Sequence, residues 1–198
     1  KIANFCRSNG IKLRGHCLMW HAQIGKWMYQ DEKGNLVSKE KLFQNMKHHI
    51  TAIMERYKDV VYAWDVVNEA ISDGGRPVMG QKPSPYRNSP LYQIAGDEFI
   101  KKAFIYAREA DPNVLLFYND YNAADPQKRD RIYNMVKSMK EEGVPIDGIG
   151  MQGHYNIYGP SMEDVDAALT KYSTIVKHIH ITELDIRANE EMGGHLNF

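Results

Sequence analysis

Cysteine is scarce in this sequence and long apolar runs are missing, and each shortage excludes a class of protein. Cys6 and Cys17 are the two cysteines among 198 residues, and their spacing fits neither a zinc site nor a disulfide framework. No apolar run approaches the roughly 20 residues that a membrane-spanning helix needs, so we expect a soluble chain without a membrane partner. Residues 1–10 lack the charged leader and apolar core of a signal peptide, and their helix-like pattern predicts that the chain begins inside a structural element.

An excess of charge of one sign is also missing. The chain has 25 Lys and Arg residues and 25 Asp and Glu residues, so its formal net charge is zero. A surface without a net field offers no general attraction to nucleic acid or to anionic lipid. We therefore expect a neutral or polar partner and no nucleic acid.

Several catalytic and nucleotide-binding motifs are absent. There is no GxGxxG or GxxxxGK phosphate loop, no GxSxG elbow for a Ser-His-Asp triad, and no HExxH helix for zinc. The eight histidines keep a metal site open as an alternative, with His16 and His21 or His178 and His180 as ligand pairs. Two histidines at alternate positions of a strand share one face, where core packing is the commoner explanation. We therefore expect no metal and no cofactor.

What the sequence does contain is a strand followed by a helix, repeated five times. The strands are predicted at residues 11–14, 60–64, 114–118, 148–151 and 175–181. Residues that can cap a helix mark the predicted helix starts, at Ser38, Ser89, Asp125 and Ser161. This alternation, without a linker or low-complexity segment, predicts an α/β fold with a parallel sheet, as one domain or part of one over residues 1–198.

The glycine- and proline-rich segment 72–90 interrupts this alternation. It is too long for an ordinary turn from a strand to a helix. We expect it to be a functional loop or a flexible insertion within the domain.

The stretch that organises the chain is VVYAWDVVNEA, residues 60–70. Its apolar run is too continuous for a one-sided strand, so we expect both faces to be covered, as in a parallel sheet under helices. The run ends in Asn68 and Glu69, an amide and a carboxylate, which is typical of an active-site wall. The alternative is that Glu69 opens the next helix, where a carboxylate meets the positive end of the helix dipole.

Polar and aromatic clusters follow all five predicted strands. They comprise His16 and Trp20, Asn68 and Glu69, residues 119–122, Gln152 and His154, and Glu183. In a barrel of eight such units these ends converge on one face and form the active site, whereas an open doubly wound sheet concentrates function at one crevice. Two carboxylates on separate strands, Glu69 and Glu183, are the minimum equipment for hydrolysing a glycosidic bond. Asn68 could bind a sugar hydroxyl, and Trp20 or Tyr121 could stack on a sugar ring.

Five ordered motifs resemble glycoside hydrolase family 10, the retaining endo-β-1,4-xylanases. They are RGHCLMWHAQ (14–23), WDVVNEA (64–70), FYNDYN (117–122), GMQGHY (150–155) and ITELDI (181–186). The resemblance implies a TIM (β/α)8 barrel, of which this chain contains about strands 3 to 7. It also implies endo-acting hydrolysis of β-1,4-xylosidic bonds in xylan or xylo-oligosaccharides by double displacement.

The resemblance also implies a role for each matching residue. Glu69 would be the general acid/base and Glu183 the nucleophile, with His154 and Gln152 holding Glu183. The residues that would bind sugars are His16, Trp20 and Asn68 at the attacked sugar, Gln23 one sugar further, and Tyr121 and Asn122 on the leaving-group side.

The chain departs from this family in its number of strands. The family's first two strands and its eighth are missing, so the remaining barrel strands of the parent chain are an expected partner. Because an incomplete barrel exposes two strand edges, we expect the isolated segment to be poorly stable and weakly active. The alternatives are a barrel glycosidase acting on cellulose or mannan, although RGHxxxWH and QxH favour xylan, and an inactive or glycan-binding fragment. The polymeric substrate predicts a secreted or cell-surface protein.

Overall fold

The computed structural model describes residues 1–74 and 84–188, and its centre is a five-stranded parallel sheet. The strands are β1 (Leu13–Trp20), β2 (Val61–Asn68), β3 (Leu115–Asp120), β4 (Gly148–Asn156) and β5 (His178–Arg187). The α-helices are α1 (Ile2–Ser8), α2 (Lys39–Tyr57), α3 (Pro90–Ala95), α4 (Glu98–Ala110), α5 (Pro126–Glu141) and α6 (Met162–Ser173), with a 3-10 turn at Lys26–Met28. None of the helices in this described part is long and apolar enough to span a bilayer.

The strands lie in the sheet in their chain order, β1 to β5, and each is parallel to the next. A doubly wound sheet reverses its strand order at a switch point, so this order contradicts that alternative. It agrees with the predicted segment of a (β/α)8 barrel, in which every strand neighbours its sequence neighbours. β1 and β5 are the two edges of the described sheet.

All five strands run further at their C-terminal ends than the sequence predicts: β2 reaches Asn68 instead of residue 64, and β3 reaches Asp120 instead of residue 118. β1 continues through Trp20 instead of ending at residue 14, and β4 continues to Asn156 instead of residue 151. β5 begins three residues later than predicted and runs on to Arg187, so Glu183 lies inside it. Polar residues in these segments look like strand ends in the sequence, but the β4–β5 pairing continues past them, with Asn156 opposite Arg187.

The predicted helix starts are confirmed by their caps. The Ser38 hydroxyl accepts from the Lys41 amide, and the hydroxyls of Ser89 and Ser161 and the carboxylate of Asp125 accept from the first-turn amides of α3, α6 and α5. Gly96, with a φ of 60°, separates α3 from α4.

The core lies between the sheet and the covering helices. α2 buries one apolar face, which contains Leu42, Met46, Ile50 and Met54, and α4 and α5 each bury an apolar face in the same way. β2 is buried at every position except Tyr62, which is 43% exposed, so the expectation of two covered faces is met over most of the strand. This buried strand is a rigid support for the residues that follow it.

The middle of the predicted loop 72–90, residues 75–83, lies outside the described residues. Its two ends are tied together beside β2. The Ser72 amide donates to the Pro85 carbonyl at 2.8 Å, and the Arg87 amide donates to the Ala70 carbonyl at 2.8 Å. These bonds place Arg87 next to the end of β2.

Candidate active site

Glu69 lies directly after β2 with its backbone in the left-handed region, at a φ of 57°. Its side chain is surrounded by N–H donors. Trp20 Nε1 donates to Oε2 at 3.0 Å, and the amides of Asn68 and Gln152 each donate to Oε1 at 3.1 Å. The next described helix, α3, begins only at Pro90, so the alternative that Glu69 opens a helix is wrong.

Glu183 lies within β5 and has nearly the same backbone, with a φ of 55°. Asn119 Nδ2 donates to Oε1 at 2.9 Å, and His154 Nε2 lies 3.1 Å from Oε2. The carboxylate is about one-third exposed, because β5 is an edge of the described sheet. A fixed but accessible carboxylate can act on a bound molecule.

A row of buried amides joins the two glutamates across the sheet. Asn119 Nδ2 donates both to Glu183 and, at 3.0 Å, to Asn68 Oδ1, while Asn68 donates to Glu69. The Thr182 hydroxyl donates to Asn119 Oδ1 at 2.7 Å and sets the orientation of that amide. The carboxylates of Glu69 and Glu183 are therefore held in one polar network of fixed geometry.

Asn119 was not among the residues singled out by sequence, although it belongs to the cluster 119–122. Its side chain is fully buried, and it needs the glycine at position 150: a Cβ there would lie 2.3 Å from Asn119 Oδ1. An asparagine near the end of an otherwise apolar strand is the sequence signal that could have identified Asn119.

Gln152 differs from its predicted contact. The family resemblance implies that it holds Glu183 together with His154, but its Nε2 donates to Asn68 and Glu69. In the pairing of β4 with β5, Gln152 lies opposite Thr182, the residue before Glu183. From this position its side chain extends past β3 to the end of β2. Asn68 itself is only 2% exposed, and its side-chain amide donates to Glu69 in this structure.

His154 connects Glu183 to a second carboxylate. Its Nδ1 lies 2.5 Å from Asp185 Oδ2, and its Nε2 faces Glu183. The hydrogen bond with Asp185, followed by the one with Glu183, raises the pKa of His154 above its ordinary value. A protonated imidazole can donate to both carboxylates at once.

His16 is part of a charged group on the inner side of β1 and β2. Its Nδ1 lies 3.0 Å from Asp65 Oδ2 and 4.0 Å from Glu183 Oε1. The hydrogen bond with Asp65, and then that with Cys17, raises the pKa of His16 to about 10. Arg14 also donates to the buried carboxylate of Asp65, which therefore carries two cationic partners.

Arg14 and Asp65 were not predicted as site residues. Asp65 is 2% exposed within an otherwise apolar strand, and a carboxylate at such a position requires cationic partners. That rule identifies Asp65 from the sequence as a residue with a special role, but it does not identify Arg14 as its partner.

The remaining predicted residues contact neither glutamate. Gln23 is exposed beyond β1 and lines a recess with Trp20 and Trp27. Asn122 is exposed, has a φ of 51°, and lines a separate polar recess with His154. The first recess lies beside the end of β1, and the second lies beyond the ends of β3 and β4.

Tyr121 lies at the end of β3 and contacts the ends of the 72–90 loop. Its hydroxyl donates to Asp73 and accepts from Arg87 Nη2 at 2.8 Å. Lys128 Nζ lies 3.4 Å from the centre of its ring, so one face of the ring is occupied. Arg87 also donates from Nε to the Glu69 carbonyl at 3.0 Å, a contact that the sequence does not predict.

The histidine pairs of the metal alternative have other surroundings. Arg14 Nη1 lies 2.7 Å from His180 Nδ1, and the His180 ring packs 4.4 Å from the Phe117 ring. Burial, and then Arg87, lowers the pKa of His21. Over residues 1–74 and 84–188, no group of three or more His, Cys, Asp or Glu side chains is placed to hold a metal ion.

The proteins similar to this chain include two endo-1,4-beta-xylanases. Endo-1,4-beta-xylanase/feruloyl esterase of Xylanibacter ruminicola is 61% identical over 100% of this chain and 28% of its own length. Endo-1,4-beta-xylanase B of Paenibacillus barcinonensis is 46% identical, over 94% of this chain and 54% of its own. This chain thus spans about a quarter to a half of the length of these relatives.

A solved structure and a family profile extend the comparison. The structure of a psychrophilic glycoside hydrolase family 10 endo-beta-1,4-xylanase matches with a TM-score of 0.89 and 70% identity, over 94% of this chain and 58% of that chain. The five-stranded sheet is accordingly part of a TIM barrel. The profile described as glycosyl hydrolase family 10 matches residues 1–196. On this match over nearly its whole length, the chain belongs to glycosyl hydrolase family 10.

Proposed function

We propose that the protein containing this chain hydrolyses β-1,4-xylosidic bonds within xylan with net retention at the anomeric carbon. One observation carries the proposal: Glu69, directly after β2, and Glu183, within β5, are joined by Asn68 and Asn119. Retaining glycosidases need two carboxyl groups about 5–5.5 Å apart, one to attack the sugar and one to protonate the leaving oxygen. The named xylanase relatives indicate which polymer is cut.

In this mechanism Glu69 begins protonated and Glu183 begins as a carboxylate. Glu183 attacks the anomeric carbon while Glu69 gives its proton to the departing sugar oxygen, which leaves a covalent glycosyl ester on Glu183. Glu69 then removes a proton from water, the water oxygen attacks the anomeric carbon, and the ester bond breaks. Two inversions at one carbon return the original configuration.

The other residues position the carboxylates and the sugars. His154, held by Asp185, keeps Glu183 aimed at the anomeric carbon. On the β1 side, His16, Trp20 and Gln23 bind the attacked sugar and the sugar beyond it. After β3, Tyr121 and Asn122 bind the sugar on the leaving-group side. Asn68 and Gln152 hold Glu69 and border the attacked sugar.

The remaining strands of a complete barrel are the proposed covering of β5. Ile181, Leu184 and Ile186 on this edge strand are 41%, 62% and 65% exposed. Contiguous apolar surface of this kind marks an interface. We expect residues 1–198 alone to be weakly active, and the longer protein to be secreted or held at the cell surface, where its polymeric substrate lies.

The test compares the full-length protein on three polymers. Release of reducing ends from xylan, well above that from cellulose and mannan, is expected, and proton NMR should show the β-anomer as the first product. Glu69→Gln and Glu183→Gln should each lower activity on unactivated xylan by at least about 10³-fold. Binding of xylan without cleavage would instead indicate a glycan-binding protein, and an initial α-anomer would remove the nucleophile role from Glu183.

A further inference from the structure

We propose that Lys128 is a positioning residue for Glu69, acting through a closed circuit of side chains that begins and ends on the Glu69 backbone. The circuit lies on the outer side of the site, between β3, α5 and the ends of the 72–90 loop. Its catalytic consequence rests on the function proposed above, whereas its structural part does not.

The first arm of the circuit runs through Tyr118. The Tyr118 hydroxyl accepts from the amides of Ala70 and Ile71, both at 3.0 Å, and donates to Asp120 Oδ2 at 2.5 Å. Tyr118 is fully buried, and burial keeps its pKa well above the ordinary tyrosine value, so the hydroxyl stays neutral. The two peptide groups after Glu69 are therefore fixed by one hydroxyl.

Lys128 lies at the centre of the circuit. Its side chain is 1% exposed, and its Nζ lies 2.9 Å from Asp120 Oδ1, 2.7 Å from Asp73 Oδ1 and 3.4 Å from the centre of the Tyr121 ring. A buried ammonium needs such partners, because it has lost its hydration shell. Lys128 therefore balances the charge of Asp120, and it shares that of Asp73 with Arg87, whose Nη2 lies 3.7 Å from Asp73 Oδ2.

The second arm returns to Glu69 through the loop ends. The Tyr121 hydroxyl donates to Asp73 and accepts from Arg87 Nη2, while Arg87 Nε donates to the Glu69 carbonyl at 3.0 Å. Together the arms hold the peptide groups on the C-terminal side of Glu69, and the Asn119 carbonyl holds its amide at 2.9 Å.

The backbone of Glu69 needs this restraint. A glutamate at a φ of 57° is in a sparsely populated conformation that persists only when its surroundings impose it. Release of the backbone would swing the carboxyl group away from the leaving oxygen, and a misplacement of about 1 Å can reduce a rate about 10²-fold. Lys128 contacts no catalytic atom, so its effect on proton transfer must pass through the Glu69 backbone, whereas its contact with the Tyr121 ring acts on sugar binding.

The experiment compares Lys128→Met and Tyr118→Phe with Lys171→Met in the full-length protein. Lys171 is the matched control, because its ion pair with Asp130 joins α6 to α5 at the protein surface. The first readout is amide hydrogen exchange over residues 69–71. We expect at least about tenfold faster exchange in the two circuit variants and no change in the control.

The second readout separates acid positioning from general damage. On a xylobioside with a poor leaving group, kcat/KM should fall about 10²-fold in the circuit variants. On the dinitrophenyl xylobioside, whose leaving group needs no proton, the first chemical step should fall only a few-fold, and the control should match the wild type on both.

Unchanged exchange at residues 69–71, or equal losses on both glycosides, would overturn the proposal. If Lys128→Met does not fold, Tyr118→Phe decides, because it removes a single hydroxyl from the same circuit. A wild-type protein that cleaves neither glycoside would contradict the proposed function, while the exchange measurement would still decide the structural circuit.

Discussion

Glu69 and Glu183 share a left-handed backbone, with φ angles of 57° and 55°, although one follows β2 and the other lies within β5. For an L-residue this conformation is disfavoured by roughly 1–2 kcal/mol relative to the right-handed form. Each glutamate leaves the regular alternation of its strand and reaches the amides of the neighbouring strands. The strained backbone is part of how the two carboxylates meet.

The backbone at Glu183 can be tested with two substitutions that remove the same side chain. We expect Glu183→Gly to have a higher free energy of unfolding than Glu183→Ala by about 1 kcal/mol, because glycine adopts a positive φ without strain. Glu55 on the exposed face of α2 is the control, since there alanine should be the more stable by a similar amount. Urea denaturation of the four variants measures both differences, and the same sign at both sites would contradict the prediction.

Asn119 provides the second prediction. Asn119→Ala should lower kcat/KM on aryl xylosides by on the order of 10²-fold, because Glu183 and Asn68 both lose a donor. Steady-state rates and the pre-steady-state burst of phenol release measure the effect. Asn113→Ala, at an exposed position before β3, should leave both unchanged. Full activity of Asn119→Ala would show that the amide row is not needed for the chemistry.

The protonation of His154 gives a third prediction. Its raised pKa arises first from Asp185 and then from Glu183, so Asp185→Asn should move the pKa down toward the ordinary value of about 6.5, by more than Glu183→Gln does. NMR titration of the His154 Cε1 proton measures both shifts. A His154 pKa that is unchanged in Asp185→Asn would contradict the assignment.

The raised pKa of His154 also determines the direction of a pH effect. A histidine with a raised folded-state pKa stabilises the protein fully below its unfolded pKa, and this contribution disappears as pH rises through the folded value. We therefore expect the difference in unfolding free energy between the wild type and His154→Gln to shrink as pH rises above about 6.5. A free-energy difference that grows as pH rises would contradict the prediction.

Asp65 supports the fourth prediction, which concerns stability. Asp65→Asn should lower the free energy of unfolding by about 3–5 kcal/mol at neutral pH, because it leaves Arg14 and His16 without their buried anion. Asp59→Asn, which breaks an exposed pair with Arg7, should have a much smaller effect. Guanidinium denaturation compares the two, and similar losses would contradict a special role for Asp65.

The pKa of His16 should change in the same Asp65→Asn variant. The hydrogen bond with Asp65 raises this pKa to about 10, so its loss should lower the value markedly. In the wild type the contribution of His16 to stability is complete below about 6.5 and is lost as pH approaches 10. Loss of stability between pH 8 and 10 that is reduced in Asp65→Asn is the expected observation.

The sequence was sufficient to predict the elements and the glutamates, because both are local patterns. Helix caps such as Ser38 and Ser161, and the apolar stripe of α2, depend on residues within a few positions of one another. Glu69 and Glu183 were identifiable because a carboxylate at the end of an apolar strand is conspicuous. Strand ends were less accurate, since inward-facing polar residues such as His16 and His154 look like turn residues.

The contacts between strands were beyond the reach of the sequence. Gln152 was expected beside Glu183 and contacts Glu69, because its partner depends on the stagger between β4 and the strands on either side. The roles of Asn119 and Arg87 could not be predicted from the sequence for the same reason, because each contacts a residue of another strand or loop.

By itself, then, the sequence determined which segments form strands and helices, that they alternate as in a barrel, and that two glutamates follow separate apolar runs. The tertiary structure alone decided which amides, imidazoles and guanidinium groups hold those glutamates. The physical reason is range: apolar periodicity and capping act within a single segment, whereas the Asn68–Asn119–Glu183 network and the Lys128 circuit exist only after separate strands have packed in register.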